Sequence, residues 1–540
     1  MFYVAELDVY LPASAAAPSY KPRPHGAMAH GARQPLYVPA SNLTIRVSDQ
    51  GYRTAPGDSG GVVAYSPCLT QGLSIDRRVN LDPTGSSTSA SWGTLELANR
   101  DGRWNSIVGT GNSDGRGVRV FAGRKGYDTA RGIALDPSYT ALTRLFSGLA
   151  GQWQLDEGSL SVPVQDASYW LSRPIQTATY SGAGGLNGDS TVTGVLMPKC
   201  RGKVLNVTPV LIDPAALIYQ YSDGPGTVQA LSEGGYSGGA TYAGDVSNLY
   251  AGTVSSGTYR TNNARGLFQL GSPPSRTITA DVTGAFPTAG APASVLDVLK
   301  GLLLEDLQMP SQYLDSSGFA GLPHASMGGG VYFSGNSVTG QAAIDQVLAA
   351  IGLKLLSRRG GAFRPWWIGD PAAAMPVGEL DPGNVVSLAT AALPTNVSPP
   401  AFRFRVGYGR NWTPMASDIS PAVTGTARKA FLANQDIYAA WQDSTVLTRH
   451  RSPNDIGAVA GVLSSASDAQ TVASRIGAYW GVRRRLYSVV LSAELGVGLD
   501  LGDVVRLTWP LDDLPAGRNG IVVGEQYRAG DGATTLLVLV

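Results

Sequence analysis

Two serine-centred strings carry the first chemistry to weigh. Pro56-Gly57-Asp58-Ser59-Gly60-Gly61 contains Gly-Asp-Ser-Gly-Gly, a common setting for a nucleophilic serine. Such a serine needs a histidine base oriented by an aspartate, with backbone N–H groups for the oxyanion. Only His25 and His30 precede Ser59, both in an Ala/Pro-rich stretch, which leaves no room for a barrel bearing the base. A plain Asp-Ser-Gly turn is expected. Gly235-Tyr236-Ser237-Gly238-Gly239 fits Gly-x-Ser-x-Gly, an elbow that must join a buried strand to a helix. Its flanks are neither, so a Gly/Ser/Tyr loop is expected there.

Metal and acid–base chemistry find no better footing. Asn99-Arg100-Asp101-Gly102 and Asn112-Ser113-Asp114-Gly115 offer oxygens beside a glycine. A calcium loop also needs oxygens two residues upstream and a distal bidentate Glu. Leu97 and Thr110 stand upstream, so both strings are expected as Asp-Gly turns. Gly109-x-Gly111-x-x-Asp114 lacks the third glycine of a dinucleotide fingerprint. Asp156-Glu157 and Glu305-Asp306 are sequence neighbours, expected as turn and helix-end charges; a glycosidase pair must face each other across a substrate. His25, His30, His324 and His450 show no metal-ligand spacing. No catalytic, cofactor-binding or metal-binding residue is assigned, and no cofactor is expected.

The elements that would position any chemistry are mostly strands. Of 540 residues, 68 are Gly and 34 Pro, and only 15% are charged against a usual level of about 25%. Frequent turns and sparse charge favour many short strands, and 43% hydrophobic residues suffice for a core. A net charge of +1 argues against a general polyanion binder. Cys68 and Cys200 are too few for a disulfide framework or a four-thiolate metal site. The start, Met1 to Asp8, has acids and no basic region, unlike a signal peptide. No apolar run reaches the ~18 residues of a membrane span. A soluble, cytoplasmically made chain without stable membrane insertion is expected.

Along the chain, residues 11–41 are Ala/Pro-rich, so residues 1–41 are expected as an extended N-terminal arm that a neighbouring subunit would pin. Alternating stretches such as 43–49, 94–104 and 117–128 mark a β domain over 42–190. A second β-rich domain is expected over 191–290. Helical spacing at 295–307, behind Ser294, and at 337–357 marks an α/β domain over 291–400, whose 371–400 stretch looks linker-like. A C-terminal β domain is expected over 401–540, with one helix behind a Ser467/Gln470 capping box and a closing three-strand meander. Trp366-Trp367, Tyr408, Trp412, Tyr479-Trp480 and Trp509 are expected in cores or subunit contacts. Arg483-Arg484-Arg485, at a helix end, suits the helix dipole or passing phosphates.

Several strings together resemble tail proteins of long-tailed bacteriophages: LTIRVSDQGYRTAPGD, WGTLELANRDGRW, VTPVLIDPAALIYQYSDG, GLFQLG with TITADVTG, VGYGRNWTP and LGDVVRLTWP. They are most similar to baseplate or tail-tip hub proteins of siphophage-like tails and gene transfer agents, from about residue 42 to 540. The resemblance implies a mainly β, multi-domain chain with α+β insertions, two tail-tube-like β-barrel domains and smaller β and α/β domains. It implies a virion protein of the tail tip, a homotrimer that adapts a hexameric tube to three-fold symmetry and closes the DNA channel until host binding. Implied partners are the distal tail protein ring, the tape measure protein C-terminus, a central tail fibre or other tip proteins, and DNA in passage. Some relatives carry an iron–sulfur cluster or a peptidase or lysozyme module, and this chain lacks the residues for either. A receptor-binding protein, a distal tail ring protein and a tail-associated cell-wall hydrolase are the alternative readings.

Overall fold

The structure, a computed structural model, describes residues 1–13, 40–85 and 88–540. Most of the expected arm lies outside them. Its beginning is a correction: Phe2–Leu11 is an inner strand, hydrogen-bonded to Ser41–Ser48 on one side and Gly117–Gly123 on the other. The cause lies in its side chains. Ala5, Leu7 and Val9 are buried on one face, and on the other Phe2 and Val4 are buried while Glu6 and Asp8 pair with Arg119. The first sheet has ten strands and continues from Gly117–Gly123 through Thr143–Ala150, Ser159–Gln165 and Thr94–Ala98. The 117–128 stretch divides: Gly117–Gly123 belongs to this sheet, whereas Gly126–Asp128 pairs with Ile133–Leu135 as a separate hairpin.

A four-stranded sheet follows, ordered Gly226–Glu233, Ile278–Gly284, Leu196–Val207, Gly330–Gly335, beside a five-stranded sheet built from 210–270. Ser294 opens the helix Val295–Gly301 with a reciprocal capping box to Asp297, and the helix runs on as a π-turn over Leu302–Asp306. The 337–357 stretch divides. Gly340–Ile351 is helix, Gly352 stops it at φ 70°, and Leu353–Ser357 is a strand. Five consecutive buried residues explain why that tail joins a sheet.

The C-terminal sheet gathers strands from distant parts of the chain. Arg518–Arg528 pairs with Val504–Leu507, Ala533–Leu539 and, near the chain's other end, Ser74–Val79. The 371–400 stretch is not a linker: Gly378–Leu380 and Val385–Ala391 form the two ends of this sheet's main path. Strand pairs span the linear borders at 190, 290 and 400: Ser74–Val79 with Arg518–Arg528, Leu196–Val207 with Gly330–Gly335, and Val385–Ala391 with Leu486–Ser492. The helix Ala466–Trp480 starts after Ser465, and Gln470 donates to Ala440 and Ser474 instead of closing a capping box. The largest core runs from Val79 to Leu539 and holds Trp480, with Trp366, Trp367, Tyr408, Trp412 and Trp509 packed around it. Cys68 and Cys200 are buried free thiols in different cores. Among the described residues no helix is long and apolar enough to cross a membrane.

Candidate functional site

The serine strings are turns. Asp58 accepts the N–H groups of Ala55 (2.7 Å) and Tyr139 (2.9 Å), closing the loop that bears Ser59. Glu233 and Tyr236 exchange backbone hydrogen bonds, so Ser237 follows a tight turn between the strands Gly226–Glu233 and Thr241–Asp245, without a helix. His25 and His30 lie outside the described residues. His324 is buried against Trp367, and His450 follows the short helix Ser444–Arg449. Asn99 accepts the Trp104 N–H, and Asp101 pairs with Arg103, both within their own turn. Among the described residues no group of His, Cys, Asp or Glu is arranged to hold a metal.

The polar chemistry is concentrated in two buried ionic clusters that the sequence did not reveal. In the first, Arg77 is fully buried. Its guanidinium meets the Glu525 carboxylate, Asp500 Oδ1 at 2.9 Å and the Ser357 carbonyl at 2.7 Å, with Trp92 stacked beneath at 4.9 Å. Arg359 also pairs with Glu525, and Arg358 spans Asp500 (3.1 Å) and Asp503 (3.2 Å). Burial alone pushes the Asp500 carboxyl up, but Arg77 and Arg358 outweigh it and hold its pKa below the ordinary range. Burial lowers Arg359 to about 9, and the nearby Arg77 adds to the effect. This cluster ties the 74–79 strand, the 357–361 turn and the C-terminal sheet together. In the second, Asp306 at the helix end and Asp223 hold Lys199 and Arg201. Sequence spacing places these four residues across more than a hundred positions; buried charge is the signal, and only the fold displays it.

A further polar feature is a cleft of 780 Å³ on the Glu6/Asp8 face of the first sheet. Register puts Arg46, Glu6, Arg119 and Ser147 in one row across four strands. Arg119 donates to Glu6 at 2.8 Å and to Asp8 at 2.9 Å, and Thr44 donates to Asp8 at 2.7 Å. Gly117 leaves space for that carboxylate: a Cβ there would sit 2.6 Å from Asp8 Oδ2. Glu6 also accepts the Tyr65 hydroxyl (2.6 Å); burial and this bond raise the phenol's pKa. Trp170 and Tyr313, with ring centroids 6.5 Å apart, form the opposite wall. Of the basic run, Arg484 lies over Tyr479 and pairs with Asp370, while Arg485 pairs with Asp513 at 2.6 Å.

Fold and site together define a mainly β, multi-domain chain. No family model and no curated protein matches the chain. Among solved structures it is similar to a chain from the virion of a native gene transfer agent particle, at 15% identity, with 64% of this chain and 84% of that one covered and a TM-score of 0.36. It is similar to the tail protein from Neisseria meningitidis MC58 at 10% identity, covering 87% and 96%, with a TM-score of 0.35. The 43 kDa tail protein of prophage MuSo2 from Shewanella oneidensis is similar at 9% identity, covering 88% and 93%, with a TM-score of 0.30.

Proposed function

We propose that the chain is a structural baseplate hub of a phage tail tip. Three copies adapt a hexameric tail tube to a three-fold tip, surround the tape measure protein's end and close the DNA channel until host binding. The observation that supports this reading is where the tail-like strings fall. LTIRVSDQGY covers the strand Ser41–Ser48, LELA the strand Thr94–Ala98, VLID and IYQ a hairpin, TITADVTG the strand Ile278–Gly284, and VVRL a strand of the C-terminal sheet. The resemblance thus rides on the framework of all the large sheets. The turns bearing Ser59 and Ser237 are closed by Asp58 and by the Glu233–Tyr236 backbone pair, and the role proposed for the chain is a structural one.

One observation favours a second reading, host recognition. Tyr236, Tyr242 and Tyr250 are all exposed within a Gly/Ser-rich stretch, a composition suited to adaptable binding surfaces. The experiment that separates these readings counts copies of the chain per purified particle by quantitative mass spectrometry. Three copies are expected for the hub. Six would move the chain to a distal tail ring, and absence from particles would overturn the tail reading. Attachment of the isolated chain to purified host surface material would favour recognition.

A further inference from the structure

The cleft holds two guanidiniums that the chain itself leaves without a carboxylate. Arg119 is neutralised by Glu6 and Asp8, whereas Arg116 rests on the Tyr10 ring at 5.2 Å and Arg144 on the Phe121 ring at 5.8 Å. Among the described residues neither makes an ion pair. The acids of the neighbouring strands and turn are engaged: Asp8 by Arg119, Asp114 by the Tyr169 hydroxyl at 3.3 Å. Two arginines facing an aromatic wall in an open groove suit a short segment with two acids and one apolar side chain.

The same chain displays such a segment. Gln154–Leu155 and Ser159–Gln165 form a hairpin in which Leu155 pairs with Leu160 and the Asp156 N–H closes on the Ser159 carbonyl. Its tip, Leu155-Asp156-Glu157-Gly158, is exposed throughout, and among the described residues neither acid makes an ion pair. We propose that the Asp156–Glu157 tip of a second copy docks into the Arg116/Arg144 cleft, with Leu155 against Trp170 and Tyr313. Tip and cleft are different surfaces, so the contact is heterologous and passes from copy to copy around a ring. The proposal rests on the reading of this chain as a ring-forming tail subunit and names the contact that would close the ring.

The test uses the full-length chain and its mass distribution in solution, measured by analytical ultracentrifugation at about 0.05 and 0.5 M salt. Arg116→Glu with Arg144→Glu is expected to weaken association at least ~tenfold, as is Asp156→Arg with Glu157→Arg. Mixing the two reversed chains matches charge in both cross contacts, acidic tip on arginine cleft and arginine tip on glutamate cleft, and should recover mixed assemblies. The same mixture controls for misfolding, since an unfolded variant cannot be rescued by its counterpart. Assembly indifferent to both reversals overturns the docking and leaves the ring reading standing. Sensitivity to the arginine reversal alone overturns the Asp156–Glu157 tip as occupant and assigns the cleft to another acidic segment of the second copy. A chain that stays monomeric at every concentration overturns the docking and the ring reading together.

Discussion

Glu525 shows how a single carboxylate can hold two arginines in the interior. It is 1% exposed and accepts from both Arg77 and Arg359. Taking one partner from a buried ion pair leaves the other charge uncompensated, which costs about 3–5 kcal/mol. Glu525→Gln should therefore lower unfolding stability by that order in urea titrations. Asp455→Asn, which frees the solvent-facing Arg403 and Arg405, should cost far less in the same titrations. His324 gives a second residue-scale prediction. It has 0% exposure, and burial, with Arg475 adding to it, lowers its pKa to about 4. The unfolded chain, with a histidine pKa near 6.5, binds the proton first as pH falls, so protonation favours unfolding. Stability is fully present above about pH 6.5 and falls by roughly 1.4 kcal/mol per unit toward pH 4. Relative to His324→Phe, the native chain should lose about 2 kcal/mol between pH 7 and 5, read from urea midpoints at each pH.

At the scale of elements, the 358–361 turn is the piece that brings the first sheet against the cluster. The Ser147 N–H donates to the Arg359 carbonyl at 3.1 Å, and Gly361 has φ 81° with its α-carbon packed on the 147 peptide. A Cβ at 361 would lie 1.7 Å from the Ser147 carbonyl oxygen. Left-handed backbone and backbone contact both penalise Gly361→Ala. A loss of more than about 1 kcal/mol is expected, with a drop in melting temperature measurable by calorimetry. Much at this scale was legible beforehand. The Ser294 cap, the closing meander and the alternating strands at 43–49 and 94–98 follow local patterns that the fold obeys. Misreadings occurred where tertiary contacts decide. Phe2–Leu11 sits beside an Ala/Pro-rich stretch that masks its alternation, and the Pro/Ala-rich 371–400 stretch joins a sheet only because Val504–Leu507 and Leu486–Ser492 offer free edges. The polar cleft was legible in no motif, since its arginines and acids converge from four strands.

At the scale of the whole molecule, the decisive fact is that the chain's two ends share a sheet. Arg518–Arg528 has Ala533–Leu539 on one side and Ser74–Val79 on the other along part of its length, with Tyr527 opposite Ile75 and Gly524 opposite Arg78. Tyr527 also donates its hydroxyl to Tyr3 at 2.8 Å, inside the core of the first sheet. Cutting between 190 and 371 would leave Arg77 buried without Glu525 and Asp500 in one piece, and an unpaired strand edge bearing buried Val522 and Val523 in the other. An uncompensated buried charge and an open apolar edge are both strongly unfavourable. Fragments 1–190 and 371–540 should therefore be unfolded or insoluble when expressed singly. Co-expression of residues 1–370 and 371–540 should recover a soluble complex, detected by co-purification on a tag carried by either piece. Independent folding of 1–190 would mean that the shared sheet is dispensable. Recovery only of the paired pieces would make the two ends one cooperative unit.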